Sequence, residues 1–376
     1  MAHLDRRTLL SGMAALSAVA LLPQSAEAAK KAVRRGRKGV MVGGLKGLDP
    51  TTRQMVHALT LIDLDAPTER RSIPLTFLAH GFALDPRNPN RAIVFEKRGP
   101  GAAEVELKSA KFMRPLKTTP ERAFYGHGVF SKDGTLLFVT ENHLATRKGL
   151  VSVWDGRTLA PMGEFPTYGE NPHDILLTPD GKQLVVTNGG GAYPDGDAPC
   201  VTVIDIATRQ LLEKNVFTDP RINAGHVQRS ARGELVVVSA PRDGLPNTEH
   251  GAVSIKPPNG KLTTLVDPVE VTRAMTGESL SLTIHDPTRR VMVTNPDANL
   301  VTVWDLSTQK FVKSYAKPKA RGVMQTLDRQ HYVICHGQTA TVSFVSTRTL
   351  EEVPELQIEK SLIAGSHIFA WDGVLA

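Results

Sequence analysis

The stretch Asn171–Gly190, NPHDILLTPDGKQLVVTNGG, recurs along the chain, and a recurring unit narrows the possible folds more than any bulk property. It reads as strand, tight turn, strand, because apolar residues alternate on both sides of a Pro-Asp-Gly turn. Gly126–Asn142 (GHGVFSKDGTLLFVTEN) and Gly225–Pro241 (GHVQRSARGELVVVSAP) are further copies. Ser279–Pro296 ends in RRVMVTNP and Ala320–Gly337 in HYVICHG, while Ala79–Arg98 is an earlier, looser copy. Sliding the copies onto NPHDILLTPDG puts His80, His127, His173, His226, Leu280, Arg321 and His367 at one equivalent position. The steps between them are 47, 46, 53, 54, 41 and 46 residues. That is the range of a four-stranded propeller blade.

Each full copy carries two more strands. Gly149–Asp155, Cys200–Asp205 and Leu300–Asp305 alternate Val, Thr and Ile and close on Asp; Met162–Pro166 and Lys310–Tyr315 follow as short fourth strands. The last copy is cut short: Ser366–Gly373 (SHIFAWDG) supplies one strand. The runs 39–44 (GVMVGG) and 55–65 (MVHALTLIDLD) precede the first copy and have no partner there. One C-terminal strand plus three N-terminal ones would complete a seventh blade and remove the open edge of an unfinished array. The expected fold is therefore all-β, a seven-bladed β-propeller over residues 39–376.

Residues 1–28 read as an export signal: Arg6-Arg7 precede a mildly apolar run to Leu22, and Ala26-Glu27-Ala28 suits cleavage. Paired arginines point to the twin-arginine route, which moves folded proteins, with an ordinary secretory signal as the alternative. The mature protein is expected in the periplasm, with no membrane span left after cleavage. Residues 29–38 hold the cluster Lys30–Lys38, read as a solvated basic leader, with attraction to anionic lipid as the alternative.

The net charge of +7 is otherwise scattered, and no nucleic-acid motif accompanies it, so nucleic acid is not expected as a partner. Cys200 and Cys335 lie in different copies and are expected to be buried thiols. There is no Gly-x-Ser-x-Gly, phosphate loop, Cys-x-x-Cys, haem-attachment or His-Glu-x-x-His motif, which argues against nucleotide and covalent haem cofactors.

In an antiparallel meander the start of the first strand and the end of the second share an edge. His80, His127, His173, His226 and His367 are thus expected around one mouth of a central channel. Convergent neutral imidazoles suit Cu, Zn, Fe or Ni. The second-strand ends point to the same mouth and add candidate ligand-binding residues: Glu96, Lys97 and Arg98; Glu141, Asn142 and His143; Asn188; Arg242; Asn295; and His336. Arg321 joins them from the equivalent position. A carboxylate from Glu96 or Glu141 would shift the metal preference toward iron. The loops Gly189–Pro199 and Asp243–Gly251 are expected to overhang this mouth, with His250 able to cap a bound species. The competing reading is structural: each histidine bonds within its own blade and holds a turn.

The runs VVTNGG, VTVIDIATRQ and VTVWDLSTQK resemble the YVTN-type propeller repeat, and Gly126-His127 with Trp154-Asp155 is similar to the Gly-His and Trp-Asp pairs of WD40 blades. The whole chain resembles a family of exported bacterial propellers of unassigned function, often found beside imelysin-type iron-uptake proteins. The histidine arrangement is also similar to the histidine-lined propeller of nitrous oxide reductase, without its copper-binding electron-transfer domain and with two of seven places not His. The family resemblance implies iron as the first metal, periplasmic iron-uptake proteins as partners, and an accessory role in metal uptake; copper or zinc are the alternatives that the imidazoles allow. A monomer is expected. Two other functions fit the same residues: a metal-dependent oxidoreductase or lactonase-like hydrolase, and a protein-docking scaffold with structural histidines.

Overall fold

The computed structural model describes residues 36–48, 51 and 54–375. The expected signal peptide, 1–28, and the basic leader up to residue 35 lie outside the described residues. The described chain is all-β and antiparallel. Its one α-helix, α1 (Val269–Ala274), is a short exposed segment. No helix among the described residues is long and apolar enough to cross a membrane.

The strands fall into consecutive meanders. β1 (Val40–Leu48), β2 (Met55–Asp63) and β3 (Arg70–Leu75) come first, followed by β4 (Ala79–Asp85), β5 (Asn88–Gly99), β6 (Gly101–Glu106) and β7 (Lys111–Lys117). Next are β8 (Arg122–Phe130), β9 (Leu136–His143), β10 (Lys148–Asp155) and β11 (Pro161–Glu170), then β12 (Pro172–Leu177), β13 (Gln183–Asn188), β14 (Cys200–Asp205) and β15 (Leu211–Val216). β16 (Val227–Arg229), β17 (Leu235–Ser239), β18 (Ala252–Lys256) and β19 (Thr263–Thr264) precede β20 (Leu282–His285), β21 (Arg290–Asn295), β22 (Leu300–Asp305) and β23 (Phe311–Ala316). The last are β24 (Val323–Gln325), β25 (His331–His336), β26 (Thr341–Ser346) and β27 (Ile363–Trp371). β27 pairs with β1, and the order β27-β1-β2-β3 makes one four-stranded sheet from both ends of the chain.

Burial follows the position of a strand in its meander. Second and third strands such as β13, β17 and β18 are buried on both faces, so they read as continuous Val and Ile rather than alternation. Fourth strands such as β7 and β15 are mostly exposed. Seven hydrophobic clusters lie between the sheets, each shared by two neighbouring meanders. One joins Phe95 to Phe124 and Trp154, and another joins Val40 and Leu59 to Ala79 and Val94. The second of these closes the series. The first strands also contact one another in the cyclic order β4, β8, β12, β16, β20, β24, β27 and back to β4. Cys200 and Cys335 are free, buried thiols.

Threonines tie this inner ring together. The Thr140 hydroxyl donates to the carbonyls of His127, at 3.1 Å, and His173, at 3.2 Å, which belong to adjacent meanders. Thr187 donates to Gly225 O at 2.6 Å and Thr294 to Arg321 O at 2.6 Å. The Thr near the end of each of these second strands therefore fixes the start of the next meander's first strand.

Candidate metal centre

The ring brings the five histidines together. His80, His127 and His173 sit on first strands β4, β8 and β12, His226 stands directly before β16, and His367 lies in β27. Glycines make the approach possible. A Cβ at Gly81 would come within 2.9 Å of His127 Nδ1, and one at Gly126, whose φ is +105°, would strike the His80 ring. His80 therefore packs edge-on against His127, with ring centroids 5.0 Å apart, and His226 meets His367 at 4.0 Å.

One ring nitrogen from each of His80, His127, His226 and His367 lies within 4.8 Å of those from the other three. Nitrogens bound to one ion at about 2.0–2.1 Å stand at most about 4.2 Å apart, so small ring movements bring the four into a single coordination shell. Two of the rings are oriented from behind. His127 Nδ1 faces the buried Asp174 Oδ1 at 3.1 Å, and His226 Nδ1 donates to the Leu280 carbonyl. This fixes each ring with Nδ1–H outward and the Nε2 lone pair inward, as metal-ligating histidines are held. His226 Nε2 lies 2.7 Å from Nε2 of both His173 and His367. One lone pair cannot serve two such neighbours fully, whereas a cation serves several lone pairs at once. The buried Nε2 atoms of His80 and His127 have no hydrogen-bond partner among the described residues. Leaving a buried polar atom unmet costs about 1–3 kcal/mol each, so both are poised for a ligand.

Four of the imidazoles are held neutral. Burial, then the charge of Lys97, holds His80 and His173 well below the ordinary imidazole range. His226 and His367 are depressed by burial and by their neighbouring histidines. Burial alone would raise the Asp174 carboxyl, but His127 beside it and the Val227 N–H at 3.0 Å hold it low and ionised.

The other candidates scatter. Glu141 turns into its own sheet, where it accepts from Thr118 and Ser152 at 2.7 Å each, and Trp154 Nε1 donates to Ser152. Asn188 meets Thr202 at 3.2 Å and Asn295 meets Ser279 at 2.7 Å. Alternation explains these three: the preceding threonine points at the ring, so the next side chain points away from it. Glu96 caps its own hairpin by accepting from Gly101 N–H at 3.0 Å. Asn142 donates to Asn171 at 3.0 Å, the His143 ring accepts from Thr146 N–H, and His336 pairs with Ser343 at 2.7 Å. Arg242 is consumed by backbone carbonyls, Gly191 at 2.6 Å and Asp197 at 2.9 Å, and so pins the 189–199 loop instead of holding an anion. His250 lines a separate cavity with Thr218 and Trp304. Arg321 stays near the centre, where its charge is felt by His367 and Lys97.

A cavity of about 300 Å³ opens beside the histidines. His173 forms part of its wall, with Lys97, Arg98, Tyr125, Asp243 and Glu278, and both long loops contribute through Gly190 and Asn247. Sequence reading missed Asp174, whose only sign was its place directly after a repeat histidine.

A family model described as "Protein of unknown function (DUF1513)" matches residues 73–364. No curated protein matches the chain. Among solved structures, the hydrazine synthase of Kuenenia stuttgartiensis is similar, with a TM-score of 0.61 and 15% identity over 81% of this chain and 95% of that one. At this identity the likeness carries the fold alone, a β-propeller-like all-β architecture.

Proposed function

This chain belongs to the DUF1513 family, whose function is unknown, and we propose that it is a seven-bladed propeller that binds one transition-metal ion at its axis. His80, His127, His226 and His367 are the ligands. The observation that carries this reading is that His80 and His127 each keep a buried Nε2 with no partner among the described residues, while one ring nitrogen from each converges with one from His226 and one from His367. The structural alternative needs each imidazole satisfied within its own blade, and these two are not.

The donor set orders the metals. A carboxylate from Glu96 or Glu141 among the histidines would favour iron, and both are engaged in their own sheets. Four imidazoles without a carboxylate suit copper(II) first and zinc next, with iron(II) lower in the Irving–Williams order. Iron keeps the support of the family resemblance. The twin-arginine pattern supports loading before export and a periplasmic role accessory to metal uptake, with uptake proteins as partners. An oxidoreductase or hydrolase at the same centre is the second reading, which the cavity beside it favours.

Elemental analysis of protein purified without chelator tests the proposal. About one equivalent of metal per chain is expected, lost in His127→Ala/His226→Ala. Metal-free protein with no affinity for copper, zinc or iron, or affinity unchanged in that variant, would refute it.

A further inference from the structure

Two cations line the cavity beside the histidines, and among the described residues no carboxylate is in direct contact with either. Lys97 and Arg98 are consecutive at the end of β5, and neither makes an ion pair within 4.0 Å among the described residues. Asp243 and Glu278 share the wall but act on Lys97 only at longer range. No hydrogen bond holds the Lys97 ammonium among the described residues. The Arg98 backbone adopts φ of +61°, a conformation uncommon for a long side chain, and Arg98 Nε donates to the Tyr125 hydroxyl at 3.1 Å. The guanidinium carbon stands 5.4 Å from the centre of the Tyr125 ring, so the cation is positioned rather than free to wave in solvent. Lys97 is half-buried and Arg98 exposed at the cavity, so an anion entering it meets two adjacent cations that solvent can still reach.

The same wall reaches the metal ligands. Of the five histidines only His173 lines the cavity, and its Nε2 is 2.7 Å from His226 Nε2. His173 is also the one histidine left out of the four-nitrogen group. It is the histidine through which the cavity wall touches that group.

We propose that the cavity is an anion site coupled to the metal: a small carboxylate or oxyanion enters between Lys97 and Arg98 and completes the coordination of the ion past His173. This rests on the metal reading above. The anion arrives either free or as part of a metal chelate.

Azide is the probe for the free route, because its bond to copper(II) gives a charge-transfer absorption. Copper-loaded protein is titrated with azide, and Lys97→Met and Arg98→Met are compared. The expected result is a saturable band in the wild type. Loss of a charge-assisted contact should weaken azide affinity about tenfold or more in each variant, with copper affinity kept. Lys97→Arg should retain most of it, and serves if Lys97→Met folds poorly. Copper citrate against copper chloride tests the chelate route: retained citrate in the isolated complex, lost in Lys97→Met, supports delivery as a chelate, and its absence beside a normal azide response assigns the site to free anions. If copper does not bind, the metal reading falls and this inference with it. If copper binds but azide gives no band and citrate is not retained, or if the lysine and arginine variants respond like wild type, only the anion site is overturned.

Discussion

Asp174 shows how much of the centre depends on a single side chain that is not itself a ligand. Its carboxylate holds His127 through Nδ1 and accepts the Val227 N–H with its other oxygen, so it joins three consecutive meanders. Asp174→Asn keeps one backbone contact and removes the charge behind the ring. Metal affinity should fall about 10- to 100-fold, the usual effect of losing such support, and competition against a chromophoric chelator would measure it. Protonation gives a second test. His80, His173, His226 and His367 have imidazoles depressed by burial, so the folded metal-free protein refuses protons that the unfolded chain accepts below about pH 6.5. Above that pH these groups leave stability unchanged; below it the unfolded state gains protons and stability falls. Urea midpoints should drop between about pH 7 and 5, and less steeply in His226→Gln. The histidines were legible because recurrence marked them. Asp174 was not, because its partner is the histidine of the preceding copy, and only the packing of β12 against β8 brings the two together.

At the scale of the element, the first strand of each meander does the positioning. Gly126 is the clearest case, since the His80 ring fills the space its Cβ would need and its φ is +105°. Gly126→Ala should displace His80, weaken metal binding about tenfold or more, and lower stability by about 1–3 kcal/mol through backbone strain and overpacking. Thermal melts with and without metal separate the two effects. Thr140 bridges two first strands through one hydroxyl, and Thr140→Val should cost about 1–3 kcal/mol by leaving buried carbonyls unmet. Strand order and the turns were readable from alternating apolar runs. The direction of second-strand ends was not. Sequence placed Glu141, Asn188 and Asn295 at the correct edge, but a shift of one residue in a strand reverses the face, and the face depends on which neighbour each strand packs against.

Across the whole molecule, both chain ends build one sheet. β27 pairs with β1 through Val40↔Trp371 to Gly43↔Ile368, and it also carries His367. Removing residues 363–376 would expose the β1 edge and delete one ligand together. Such a truncation should bind little metal and aggregate on concentration, which size-exclusion chromatography would register. Complementary ends were visible in the sequence as one unmatched strand against an unmatched N-terminal stretch. The cavity was only partly visible: the two long loops and the strand end Lys97-Arg98 pointed to the right mouth, while Tyr125, Asp243 and Glu278 in its wall came from the fold around them. The central claim is that this ring makes an all-imidazole metal site. X-ray absorption on copper-loaded protein tests it most directly. The account predicts about four nitrogen scatterers near 2.0 Å with the outer-shell pattern of imidazole, reduced in His80→Ala. A shell dominated by oxygen or sulfur, or one unchanged by that substitution, would contradict it.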